Sequence, residues 1–236
     1  MVKAKKSETS DRIHSGHRQR VKQRFLKEGL VSFADHQVLE LLLFYGLPYQ
    51  DTNGLAHILY QRFGSLAAVL DADYHDLMEI TGIGSNTALL LTMIPEITRR
   101  YLIDKASFKT TVHSLEALGE YAVNLFIGRH YEAFYLICLD SQNHILCPAM
   151  IAEGTINEVS IYPRIVVETA LRHKAKSVAL AHNHPGGSLR PTAVDMQLTQ
   201  RIALVLAEIN IEVLDHIIVC NDEYLSFAAK GLMFND

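Results

Sequence analysis

The sequence predicts an α+β chain: an all-helical N-terminal domain followed by a mixed-sheet α/β domain. Two changes of texture carry that expectation. Up to about residue 104 apolar residues recur at helical spacing and no strand-like alternation persists. Beyond residue 108, β-branched and aromatic runs interleave with helical segments. The expected organisation is a basic flexible arm over 1–11, a helical domain over 12–104 and a sheet domain over 108–236.

Taken in order, residues 1–11 are polar and read as loose. In "SFADHQVLELLLFYG", Ser32 offers an N-cap, apolar residues stand at 38, 39, 41, 42 and 43, and Gly46 closes the helix. "NGLAHILYQRFG", "SLAAVLDA" and "DYHDLMEITGIGSNTALLLTMIPEITRRY" continue the helical pattern. "EAFYLICLDSQNHIL" then reads as two strands around an Asp-Ser-Gln-Asn turn, and "AMIAEGTINEVSI" as a third. A helix near "YPRIVVETALRHKA", a buried strand "SVALAHNH" and a long helix "PTAVDMQLTQRIALVLAEIN" follow. "IEVLDHIIVCN" and "EYLSFA" close the chain as strands.

The 236 residues carry a net charge of −4, so the molecule as a whole is no generic polyanion binder. The charge is uneven. Residues 1–30 hold nine Lys/Arg against Glu8, Asp11 and Glu28, a local +6 that leaves −10 for the remainder. Such asymmetry suits nucleic acid, and equally a solvated tail. Cys138, Cys147 and Cys220 form no CxxC pair, which excludes a disulfide framework and a thiolate zinc site. The N-terminus lacks the apolar core of a signal peptide, and no apolar run reaches roughly 18 residues. A cytoplasmic protein with no membrane partner is expected.

The chemistry concentrates in "LAHNHPGGSLRPTAVD", residues 180–195. Alternate residues of a strand share a face, so His182 and His184 present their imidazoles side by side. Pro185, Gly186 and Gly187 end the strand, and a helix opening near Thr192 places Asp195 in its first turn. Two imidazoles and a carboxylate suit zinc, and three protein ligands leave a fourth tetrahedral position for water. Thr192-x-x-Asp195 also spells a capping box, which by itself accounts for both residues without a metal.

These residues resemble a known family. His-x-His, seven residues, then Ser/Thr-x-x-Asp is similar to the JAMM (MPN+) zinc metallopeptidase pattern. "HNHPGG" with "LDHIIV" (214–219), "EGTIN" (153–157) and "YPR" (162–164) looks like its bacterial RadC branch. The resemblance covers about residues 10–230 and implies an MPN/JAB-type domain. It implies one Zn2+ per chain held by His182, His184 and Asp195, and a glutamate base from an upstream strand. Glu132, opening "EAFYLICLD", aligns best with that base, with Glu153 and Glu168 as alternatives. Thr192 stands where the family has a serine that serves the oxyanion, and Ile165 where the branch usually has an acidic residue. His216 reads as a packed or supporting histidine, with Asp215 beside it.

"MEITGIGSNTALLL" (78–91) has the shape of a helix-hairpin-helix. Gly82 and Gly84 let backbone amides approach a phosphate, and a helix beginning at Ser85 adds its dipole. Gly82, Gly84 and Ser85 are therefore the candidate contacts to a DNA backbone, bound without reading sequence. The RadC branch resembles this too, although Thr87 replaces a common lysine. A scaffold or protein-contact role for the hairpin explains the same residues.

The resulting expectation is a zinc-dependent hydrolase of the JAMM type, acting on an unknown peptide or isopeptide substrate and localised on DNA. Two alternatives stay open: a DNA-repair factor whose zinc is structural or acts on a phosphodiester, and a non-catalytic MPN scaffold.

Overall fold

No Pro or Gly precedes Gly16, so nothing in the polar N-terminal segment breaks a helix. In the computed structural model, which describes residues 5–107, 112–154 and 161–233, helix α1 spans Lys5–Glu28. Residues 5–11, expected as a loose arm, are thus helical. The chain divides into two units, one within residues 1–95 and one within 96–236.

The first unit packs short helices around an aliphatic core. Helix α2 (Asp35–Gly46) is not capped by Ser32, as its sequence suggested. The Ser32 hydroxyl instead donates to Glu28 and accepts from Arg24, while Ala34 occupies the N-cap and its N–H donates to Gln37. Leu39 and Leu43 of α2 meet Ala56 and Leu59 of α3 (Asn53–Phe63), Val69 of α4 (Leu66–Leu70) and Leu77 of α5 (Tyr74–Met78). Helix α6 (Ser85–Ser107) contributes Ala88 and Leu91 to this core and continues into the second unit.

In the second unit α7 (Leu115–Leu125), α8 (Pro163–Arg172) and α9 (Ala193–Ala207) sandwich a mixed five-stranded sheet of order β2-β1-β3-β4-β5. Its strands are β1 (Ala133–Leu139), β2 (Ile145–Glu153), β3 (Ser177–Asn183), β4 (Glu212–Cys220) and β5 (Glu223–Ser226). Only β3 and β4 pair in parallel, joined through α9; the other neighbours are antiparallel. One face packs Tyr135, Ile137, Ala181 and Val219 against Leu118 and Leu125 of α7. The other packs Phe134, Leu136, Leu180 and Ile218 against Val166 of α8 and Ile202 of α9. Both faces being covered, β1 and β3 are buried along their whole length, which explains their continuous apolar runs.

The expected third strand "AMIAEGTINEVSI" is not separate. Ala149–Glu153 simply continues β2, and residues 155–160 lie outside those described. Pro148 lies within β2, an edge strand, where a residue without an N–H is tolerated. The three cysteines are free thiols. Among the described residues no helix is long and apolar enough to cross a membrane.

Candidate metal centre

Strand β3 ends at the point where the sheet faces α9, and its last turn of chain sets the site. His182 is buried against Phe134, with the rings stacked at 6.2 Å. His184 lies just past the strand, its N–H donating to the Val219 carbonyl at 2.8 Å and so extending the parallel ladder. The two Nε2 atoms approach to 2.9 Å. Asp195, in the first turn of α9, brings Oδ1 to 3.2 Å from His182 Nε2 and Oδ2 to 3.9 Å from His184 Nε2.

The cap and the cluster coexist because the carboxylate divides its oxygens. Thr192 N–H and Thr192 Oγ1–H both donate to Asp195 Oδ2, each at 2.7 Å, and Asp195 N–H donates back to Thr192 Oγ1 at 3.2 Å. The capping box is complete, and Oδ1 is left facing the imidazoles.

The donor set fits a metal cation. The Ser188 carbonyl, which can only accept, lies 2.7 Å from His184 Nδ1, so Nδ1 carries the proton and Nε2 presents a lone pair. That lone pair, the His182 Nε2 and a carboxylate oxygen converge within 4.8 Å. Acceptors brought this close repel unless a cation sits among them, either a proton or a metal. Two imidazoles and a carboxylate are a zinc-type set, and the His184–Ser188 bond is the usual way a ligating histidine is oriented. Burial pushes the Asp195 carboxyl up, but its contact with the His182 imidazole, with the Thr192 bonds, outweighs that and holds it well below the usual carboxylate range.

Glu132 immediately precedes β1 and is half-buried. Phe134 pairs with His182 at the last rung of the ladder, and Glu132 stands two residues before it, so continued strand alternation would turn it to the face of the two histidines. Asn183, between the histidines, grips the backbone on both sides of Glu132. Its Oδ1 accepts from Ala133 N–H at 2.7 Å and its Nδ2 donates to the Tyr131 carbonyl at 3.0 Å. Glu153 pairs with Ala133, on the α7 face, and lies 3.6 Å from Arg129. Glu168 is bound at 2.7 Å by Arg164 on the exposed side of α8.

The model of the RadC-like JAB domain family matches residues 112–232. This chain belongs to that family. A UPF0758 protein of Paraburkholderia xenovorans is 35% identical over 210 residues, 89% of this chain and 83% of that one. One from Fusobacterium nucleatum is 33% identical over 233 residues, 95% and 100% of the two chains. A third, from Janthinobacterium, is 36% identical over 212 residues, 90% and 95%.

Behind the cluster of this RadC-like domain lies a third imidazole. His216 of β4 is fully buried, and burial, with His182 beside it, holds its pKa well below the ordinary histidine value. The folded protein therefore keeps it neutral while the unfolded chain protonates it near pH 6.5. This contribution is full above about pH 6.5 and lost as the pH falls below it, at up to about 1.4 kcal/mol per pH unit. Urea unfolding between pH 7.5 and 5.5 should show that decline, and His216→Asn protein should show a shallower one; equal slopes would remove His216 as the cause.

Proposed function

We propose that this chain is a zinc-dependent hydrolase of the JAMM type, acting on peptide or isopeptide bonds and localised to DNA by its helical unit. The observation that carries the reading is the convergence of His182 Nε2, His184 Nε2 and a carboxylate oxygen of Asp195 at the end of β3. These three atoms would hold one Zn2+. When bound, zinc polarises a carbonyl and makes water acidic enough to attack at neutral pH. Glu132, two residues before the Phe134 that pairs with His182, takes the attacking water's proton and returns it to the leaving amine in this reading. Asp195 Oδ2 has two donors from Thr192, so the hydroxyl can turn to a developing oxyanion while the N–H keeps the carboxylate in place. The choice of peptide over other bonds rests on the JAMM resemblance.

The DNA part is supported by the turn between α5 and α6. Gly82 has φ of +100°, a left-handed conformation that a side chain would strain. Ile83 and Ala88 are buried behind it, and α6 starts at Ser85. Gly82, Gly84 and Ser85 would meet phosphate through their backbones.

Full-length protein of measured zinc content, offered peptide and isopeptide libraries alongside branched, single-stranded and duplex DNA, tests both parts. The expected results are amide cleavage that vanishes in His184→Ala, and DNA retention that weakens steeply with salt. His184-dependent cleavage of DNA instead would favour the phosphodiester reading. Zinc-loaded protein inert on every substrate would leave a scaffold, and no retention at low salt would end the DNA assignment.

A further inference from the structure

The third imidazole does more than fill space. Thr199, one turn beyond Asp195 in α9, has a single hydroxyl proton, and it donates to the Asp195 backbone carbonyl at 2.6 Å. A carbonyl only accepts, so that proton is committed. Thr199 Oγ1 also lies 2.5 Å from His216 Nδ1, and toward it the hydroxyl can only accept. His216 therefore carries its proton on Nδ1 and, being neutral, has a bare Nε2. That atom is 2.8 Å from His182 Nδ1, which must then be the donor. Each step forces the next, and in a neutral His182 the last leaves the Nε2 lone pair beside Asp195 Oδ1 and His184 Nε2.

We propose that His216 and Thr199 are positioning residues that fix His182 with its proton on Nδ1 and its Nε2 lone pair turned into the cluster. The assignment rests on the reading of His182 as a metal ligand. The chain of bonds closes on itself: Asp195 accepts at its backbone carbonyl at one end and offers its carboxylate to the cluster at the other. Thr199, His216 and His182 have relative exposures of 1%, 0% and 1%, so bulk water does not compete for these bonds. The parallel register, Leu180 with His216 and His182 with Ile218, puts both imidazoles on one face of the sheet. Phe227, 4.7 Å from the His216 ring, and Phe134, 5.8 Å from it, hold its plane. The opposite tautomer of His216 would donate to His182 Nδ1 and send the His182 proton to Nε2, where it would occupy the ligand position.

Long-range 15N–1H spectra of the imidazoles in labelled full-length protein read this without a substrate, with zinc affinity measured by chelator competition. Wild type and Thr199→Ser should show His216 protonated on Nδ1. Thr199→Val, equal in shape but without the hydroxyl, should lose that signature and bind zinc about 10–100-fold more weakly. Should Thr199→Val fail to fold, Thr199→Ala reports the same tautomer. A wild-type His216 protonated on Nε2, or valine protein with unchanged imidazole signals, overturns the proposal. Wild type that takes up no zinc but keeps the Nδ1–H signature, lost in the valine variant, upholds the bond chain and overturns the metal reading instead.

Discussion

A His184→Ala protein should emerge from purification without stoichiometric zinc, where the wild type carries one ion per chain. Loss of one of three protein ligands removes a large share of the binding free energy. If a structural zinc site supplies about 10–16 kcal/mol over four ligands, one ligand is worth on the order of 3 kcal/mol, or more than a hundredfold in affinity. Removing His184 also spares the core, since its side chain is 15% exposed against 1% for His182. Asp195→Asn separates the two duties of that residue. An amide oxygen can still accept from Thr192 N–H, so the cap is weakened, at a cost of about 1 kcal/mol, while the anionic ligand is lost. The expected result is a folded, slightly destabilised protein with little zinc. Elemental analysis decides: full zinc occupancy in both variants would reduce the carboxylate to a cap and move the ion elsewhere.

What could be read from the sequence follows the range of the interactions involved. His182, His184 and Asp195 lie within fourteen residues of one another, on a strand, a turn and a capped helix whose local rules are strong. Thr199 and His216 were not legible as a pair because their contact spans seventeen residues and depends on β3 and β4 pairing in parallel. Asn183 passed as the unspecified residue between two histidines. Its signal was available: a polar side chain inside "SVALAHNH" must find partners if that strand is buried on both faces. It finds them fifty and fifty-two residues upstream. The helix start at Asp35 was misplaced onto Ser32 for a similar reason. Arg24 and Glu28 of the preceding helix compete for that hydroxyl. Two expected strands are one, β2, which runs through Pro148 because its edge position, a property of the sheet and not of the segment, tolerates a proline.

Glu132→Gln is expected to lower turnover about 10²–10⁴-fold with zinc content unchanged, the range general base catalysis supplies. The substitution keeps size and shape, and replaces the charged proton acceptor with a neutral amide that cannot take a proton. It leaves the three cluster residues untouched. The backbone should not move, since Asn183 holds the peptides on either side and the Gly154 N–H donates to the Glu132 carbonyl at 2.9 Å. That anchoring gives the assay its force: a large loss of kcat with normal zinc and normal stability can come only from the carboxylate itself. Were Glu132 a solvated strand-start residue, stability would change by less than about 0.5 kcal/mol and activity not at all. Glu153→Gln and Glu168→Gln are the matched controls. Each removes one arginine-paired carboxylate, Arg129 for the first, on the α7 face, and Arg164 for the second, on the exposed side of α8. Wild-type turnover is expected in both. A fall in either, with Glu132→Gln fully active, would transfer the proton to that glutamate.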